Sequence, residues 1–282
     1  MVHAALDAGV TLFDTADIYG QGHSEEFLGQ ALGKRRSEVV LATKFGMDMQ
    51  GANGPDWGAR GSRRYVRLAV ESSLRRLGTD WIDLYQIHAP DARTPIAETL
   101  AAMTELVHEG KVRYIGCSNF SAWHVADAEW TARSNGTERF ISAQNHYNLL
   151  YRGVETELSP ACEHFGIGIL PYFPLASGLL SGKYRRGEQA PEGTRLAGRE
   201  DSLSSERFDA VEKLGAFAEQ RGLSLLQVAV GGLAAQKAVA SVIAGATRPE
   251  QVTANVEAGT WRPTPEDLAA LDQAVTPGSN LP

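Results

Sequence analysis

Thr11-Leu12-Phe13-Asp14-Thr15-Ala16-Asp17-Ile18-Tyr19-Gly20 is a β-branched and aromatic run that stops at a carboxylate. Thr11 to Phe13 read as a buried strand, Asp14 ends it, and Tyr19 follows on the outgoing loop just before Gly20 permits a turn. Such a strand delivers polar groups to its own C-terminal rim. Taken alone, the stretch also admits a plainer reading, in which Asp14 caps the next turn and Tyr19 is a half-buried loop aromatic. The recurrence of the layout downstream shifts the balance.

Val39-Val40-Leu41-Ala42-Thr43-Lys44 is a second apolar strand, finishing in a lysine, and a loop rich in Gly and Asn follows to about Gly61. A loop of that length suggests function. Trp81 to His88 is a third strand ending in a histidine, Val112 to Asn119 a fourth ending in Ser118 and Asn119, and Phe140 to Gln144 a fifth ending in a glutamine. Ile167 to Tyr172 is the next, and Ser241-Val242-Ile243-Ala244 the last. Helices are expected between them: Glu25–Lys34 opened by Ser24, a basic helix from Ser62 to Leu77, Pro95–Glu109, Ala122–Ser134 and Val154–Phe165. An irregular Gly-rich segment, Pro174 to about Ser204, precedes a helical pair at Ser205–Arg221 and Ser224–Ala235, and helices at Pro249–Ala258 and Pro265–Val275 complete the chain.

Strands alternating with helices imply parallel pairing with right-handed crossovers, as an open doubly wound sheet or a closed barrel. Polar residues at nearly every strand end favour the barrel, because an open sheet gathers its site at one switch point. No G-x-G-x-x-G fingerprint follows a strand. The fold class is therefore read as α/β, a (β/α)8 TIM barrel forming one domain over residues 1–282. About seven strands are visible, and Val2 to Ala8 resembles the last turns of a helix without an N-cap, so the first strand is expected to be missing and the first βα unit incomplete.

The chain of 282 residues is 43% hydrophobic with a net charge of −7 and mixed signs, which excludes a basic nucleic-acid face or a polybasic membrane anchor. Two cysteines, Cys117 and Cys162, make no disulfide framework or metal motif, and no apolar run reaches membrane-spanning length. A cytoplasmic protein acting on small molecules, with no resident metal, is the expectation. A barrel would bring Asp14, Tyr19, Lys44 and His88 to one corner. Tyr is a weak acid, with a pKa of about 10, and a nearby ammonium stabilises its phenolate. Lys44 could play that part if Asp14 holds it, and His88 could orient a substrate oxygen. Proton delivery to a carbonyl then needs a hydride donor from a cofactor. Each residue alone fits a simpler role, Lys44 in a rim salt bridge and His88 as a satisfied barrel-top histidine. Trp57 and Tyr65 either wall a substrate pocket or simply pack, and His23, His124 and His146 read as surface or loop residues.

Six stretches together resemble the aldo-keto reductase superfamily: Phe13–Gly20, Ala42–Lys44, Asp83–His88, Gly110–Phe120, Gln144–Arg152 and Ala176–Tyr184. The resemblance implies a tetrad of Asp14, Tyr19, Lys44 and His88, with Tyr19 as general acid, and NADPH bound without a Rossmann fold. By position, Ser118, Asn119 and Gln144 would bond the nicotinamide carboxamide and Tyr172 would stack on the ring. The loop of Phe173, Pro174, Leu175, Ser177, Leu179 and Lys183 would lie over the pyrophosphate. Gly245, Thr247, Arg248, Gln251 and Asn255 would meet the adenosine end, where relatives usually carry an acidic residue at the position of Ala254. Arg248 is the one cation there, which favours NADPH, with NADH as the alternative. The implied activity is reduction of an aldehyde or ketone to the alcohol. The competing readings are a non-catalytic cofactor-binding or regulatory barrel, or an inactive fragment, and a Schiff-base aldolase using Lys44.

Overall fold

The computed structural model describes residues 1–197 and 204–281. Residues 198–203, at the end of the irregular Gly-rich segment, lie outside the described residues. Six strands form one sheet whose spatial order is the chain order: β1 (Leu12–Asp14), β2 (Val40–Phe45), β3 (Ile82–Ile87), β4 (Val112–Ser118), β5 (Phe140–His146) and β6 (Gly168–Tyr172). Every pair from β1 to β5 is parallel, as helical crossovers require. This is the strand order of a (β/α) barrel.

The expected seventh strand is only an extended segment. Ile169 N–H donates to the Ala238 carbonyl, Ala240 N–H to that of Ile169 and Ile243 N–H to that of Pro171 (2.6, 2.9 and 3.1 Å), yet residues 241–244 are not a regular strand. The pairing is too sparse to make one, so the described residues hold six strands rather than about seven.

Two compact units make up the chain, Met1–Gln144 with His164–Ile167, and Asn145–Glu163 with Gly168–Pro282. In the first, helices α1 (Val2–Asp7), α2 (His23–Leu32), α3 (Arg63–Leu77), α4 (Ile96–His108) and α5 (Ala122–Asn135) alternate with the strands. Helix α3 starts where Ser62 Oγ accepts the Tyr65 N–H (3.4 Å) and stops at left-handed Gly78. Helix α2 departs from expectation. It begins at His23 behind left-handed Gly22, and Ser24 Oγ accepts from the Thr15 hydroxyl (2.8 Å) instead of capping. The core of this unit is the apolar filling of β2 to β4 and their helices, including Leu41, Phe45, Val66, Val70, Ile82, Tyr85, Leu100 and Ile115.

Helix α2 crosses the end of α3 at Gly29, where a Cβ would be driven into the Leu77 carbonyl and lie 2.8 Å from the Leu77 Cα. Backbone cannot give way as a flexible side chain does. Gly29→Ala therefore destabilises by about 1–3 kcal/mol in thermal or denaturant unfolding, although alanine is the better helix former. An unchanged or higher midpoint would show that the two helices separate without cost.

The second unit holds α6 (Leu158–Phe165, whose last residues belong to the first unit), α7 (Ser205–Gln220), α8 (Leu225–Ala234), α9 (Pro249–Ala258) and α10 (Pro265–Ala274). Its core is built from Leu149, Leu179, Leu180, Phe208, Leu214, Val228 and Leu271 with their neighbours. Among the described residues no helix is long and apolar enough to cross a membrane.

Candidate active site

Strand register decides which side chains meet. Asp14 pairs with Ala42, Lys44 with Gln86, Gln86 with Gly116, and Ser118 with Gln144. Partners across a parallel ladder share a face, and residues two apart on a strand share it as well. Asp14, Lys44, Gln86 and Gln144 therefore project to one side of the sheet. Gly116 clears the way, since a Cβ there would lie 3.2 Å from Gln86 Cγ and would run into the Ser142 hydroxyl.

These four side chains form one hydrogen-bonded group. Lys44 Nζ donates to Asp14 Oδ2 at 2.6 Å and to the Thr15 carbonyl at 2.7 Å. Asp14 Oδ1 accepts from Gln144 Nε2 at 2.8 Å and from Gln86 Nε2 at 3.3 Å. Neither lysine nor aspartate has freedom to swing. The Lys44 side chain has no exposed surface. Burial holds its ammonium below the usual lysine range, and the contact with Asp14 is the strongest influence in the other direction.

Tyr19 leaves the group toward solvent, with 43% of its surface exposed. The Lys44 ammonium lies 5.3 Å from the centre of its ring. His88 meets the same ring edge-on, with centroids 5.9 Å apart and planes at 83°. The backbone N–H of His88 donates to the Phe45 carbonyl (2.8 Å), which fixes where β3 hands over to its loop. Its imidazole is pushed down to about 4, by burial first and the Lys44 charge second, so it is neutral at pH 7. The structure thus brings together all four residues expected to form the tetrad. Gln86, the second amide on Asp14, was not anticipated as a site residue; the signal lay in its place two residues before His88 on the same strand.

The chain is similar to known sequences over nearly all of its length. The profile of the Aldo/keto reductase family covers residues 1–276. The chain belongs to that family. It is 37% identical to a protein of Oryza sativa subsp. japonica named as a probable voltage-gated potassium channel subunit beta, over 98% of this chain and 86% of the other. It is 34% identical to versiconal hemiacetal acetate reductase of Aspergillus parasiticus, over 98% and 86%. With L-glyceraldehyde 3-phosphate reductase of Escherichia coli O157:H7 the identity is 33%, over 99% and 83%.

In the first unit, Asn119 adopts a left-handed φ of 60°, and its amide donates to the His88 carbonyl (2.9 Å) and to Ser118 Oγ (3.1 Å). Asn119 and Gln144 are thus each bonded to a tetrad residue as well as placed at a strand end. In the second unit, Phe173, Ala176, Ser177 and Gly178 have positive φ, and the Ala176 and Gly178 N–H groups donate to the Phe173 and Leu175 carbonyls (3.0 and 2.8 Å), which closes the loop into tight turns. Lys183 Nζ lies so near Gly178 that a Cβ there would be 2.8 Å from it, which adds a cation to the same loop. Pro174 and Leu179 are buried, the latter in the unit's core, and Leu175 is half-buried.

His146 departs from the surface or loop role expected of it. It is half-buried, stacked on Tyr151 (4.0 Å) and on Tyr172 (5.5 Å, planes 8° apart), so it backs the ring expected to meet the nicotinamide. His124 closes the capping box of α5 with Ser121. In the segment expected at the adenosine end, Thr247 donates to Gln251 Oε1 through both N–H and hydroxyl (2.7 and 3.1 Å), Gly245 precedes it, and exposed Arg248 stands at the N-cap position of α9 without a side-chain capping bond, while Asn255 on that helix is half-buried. Among the described residues no cluster of His, Cys, Asp or Glu is placed to hold a metal ion.

Behind the tetrad lies a second carboxylate, Asp17, with no exposed surface. Burial, then the neighbouring Glu25, push its carboxyl up to about 7 against the lowering influence of Asn53, Arg76 and the Ile18 N–H. A raised folded-state value means that the folded protein holds a proton that the unfolded chain has released. Its stabilising effect is complete below about pH 4 and is lost as pH rises towards 7. Asp17→Asn therefore gains stability relative to the parent across that window, reaching roughly 3–4 kcal/mol at neutral pH and then holding level. Subtracting the two stability curves removes the opposite slope contributed by His88. A difference flat from pH 4 to 8 would mean that Asp17 titrates as it does in water.

Proposed function

We propose that this chain reduces an aldehyde or ketone to the alcohol with NADPH, Tyr19 supplying the proton to the carbonyl oxygen. The observation that carries the reading is the convergence of Tyr19 and His88 on a buried Lys44–Asp14 pair. The bound nicotinamide would supply hydride to the carbonyl carbon. As the Tyr19 proton leaves, the Lys44 ammonium stabilises the phenolate, and Asp14 and the Thr15 carbonyl keep that ammonium in place. Neutral His88 acts by hydrogen bonding; with Nδ1 buried and without a partner among the described residues, Nε2 is the ring nitrogen left for the substrate oxygen.

Each unit by itself offers groups that suit part of a dinucleotide. In the first, Ser118, Asn119 and Gln144 offer amide and hydroxyl groups for a carboxamide; in the second, Tyr172 backed by His146 offers a flat ring, and Lys183 beside Gly178 offers a cation for a pyrophosphate. Arg248 at the start of α9 suits a 2′-phosphate and favours NADPH over NADH. A Schiff-base role for Lys44 is disfavoured by its complete burial and its two short hydrogen bonds.

The relatives named as potassium channel beta subunits support a second reading, a cofactor-binding subunit of a larger assembly. The two readings part on turnover. Fluorescence titration with NADPH and NADH, followed by cofactor oxidation at 340 nm over an aldehyde and ketone panel, tests them. Binding with carbonyl-dependent oxidation supports the reductase; binding without it supports the subunit; no binding of either cofactor overturns both.

A further inference from the structure

The loop of residues 46–61 that leaves β2 is tied to the Tyr19 turn on both sides of the phenol. Asn53, in mid-loop, is only 4% exposed. Its Nδ2 donates to Asp17 Oδ2 at 2.8 Å and to the Tyr65 hydroxyl at 3.5 Å, while its Oδ1 accepts from Arg76 Nη1 at 2.9 Å. Asp17 precedes Tyr19 by two residues and its N–H donates to the carbonyl of Lys44 (3.0 Å). Two residues after Tyr19, Gln21 Nε2 donates to Gln50 Oε1 of the same loop (3.0 Å). Both Gln21 and Gln50 hold left-handed backbone, φ 51° and 49°, which non-glycine residues adopt only when their surroundings impose it. Tyr65 is 1% exposed, so of the two aromatics expected beside a pocket it belongs to this buried bond set, while Trp57 is exposed.

We propose that Asn53 is a positioning residue which, with Gln50, clamps the 46–61 loop to both flanks of Tyr19 and so sets the phenol over Lys44. The proposal rests on the reductase reading for its kinetic consequence, though not for its structural one. Asn53 suits the task because it is neutral and two-sided, donating to a carboxyl and accepting from a guanidinium at once. Without it, Asp17 Oδ2 and Arg76 Nη1 both lose a partner, and Asp17 Oδ1 has none among the described residues. The charged and titratable groups facing Asp17 are Glu25 from α2, Arg76 and Tyr65 from α3, Lys44 from β2 and Tyr85 from β3.

Three variants test it: Asn53→Ala, Asn53→Asp, and the swap Asp17→Asn with Asn53→Asp. The swap restores the bond with its direction reversed and places a carboxylate beside Arg76. Hydrogen exchange, read on the free protein, should accelerate about tenfold over residues 15–22 and 46–61 in Asn53→Ala and return in the swap. With a turned-over carbonyl, kcat should fall about tenfold in Asn53→Ala, with cofactor Kd within about twofold of the parent, and recover in the swap. Asn53→Asp alone should lose more activity above pH 7, where Asp17 is ionised and the two carboxylates repel. Exchange over residues 15–22 that does not respond to Asn53→Ala overturns the clamp. So does a loss of kcat that the swap fails to restore, which marks a merely structural residue. If the parent reduces no carbonyl, the reductase reading fails by that result alone, and the exchange data still decide the clamp.

Discussion

Tyr19→Phe should lower kcat for carbonyl reduction by about 10²–10⁴-fold while leaving NADPH affinity within about twofold, the span expected for loss of a positioned general acid. The substitution keeps the ring, and with it the edge-on contact to His88 and the approach of the Lys44 ammonium, so only the hydroxyl is removed. With 43% of Tyr19 exposed, the substitution falls on a largely solvent-facing side chain and the melting temperature should barely move. The defect should therefore fall on kcat and not on stability or binding. Measuring kcat, KM and cofactor Kd side by side checks it. If Tyr19→Phe keeps within threefold of parental kcat, the proton comes from elsewhere and the role given to the Lys44–Asp14 pair goes with it.

The largest loss of stability is expected at Arg76→Met. Arg76 Nε donates to Glu25 Oε2 at 2.7 Å, and Glu25, whose side chain has no exposed surface, accepts from the Thr43 hydroxyl as its other partner among the described residues (2.6 Å). The Glu25 charge in turn helps push the nearby Asp17 carboxyl up. Removing the guanidinium strands Glu25 in the interior and strips Asn53 of its donor. Breaking one side of such a pair costs about 3–5 kcal/mol. Replacing both sides, Arg76→Met with Glu25→Gln, should return a substantial part of that loss, because no buried charge is then uncompensated. Urea unfolding of the two variants and the parent decides the matter. A loss below about 1 kcal/mol for Arg76→Met would mean that water reaches Glu25 once the arginine is gone.

Local pattern made much of this molecule legible. The apolar runs that become β1 to β6 end in Asp14, Lys44, His88, Ser118, Gln144 and Tyr172, or have them within a residue or two of the end, because a strand buried between helices has only its ends to offer polar groups. Helix α9 runs over the residues its sequence marks out, with proline in its first turn, and Ser62, Ser224 and Thr264 cap α3, α8 and α10. These are signals carried by a few consecutive side chains. Where local preference met a tertiary constraint it failed. Ser24 is a good cap on sequence grounds, yet left-handed Gly22, packed against the Arg76 side chain, takes the N-cap position two residues earlier and Ser24 bonds Thr15 instead.

By itself the sequence determined the alternation of strands and helices and the family, and it singled out the four polar residues that the fold brings together, since each depends on residue type and spacing along the chain. Tertiary structure alone decided that Gln86 and Gln144 share Asp14, that residues 241–244 stay short of a regular strand, and that His146 backs Tyr172. It also decided the meeting of Asp17 with Asn53, 36 residues apart. Each of these follows from ladder register or from the exclusion of water around a buried charge, and neither quantity exists until strands that are distant in sequence lie side by side.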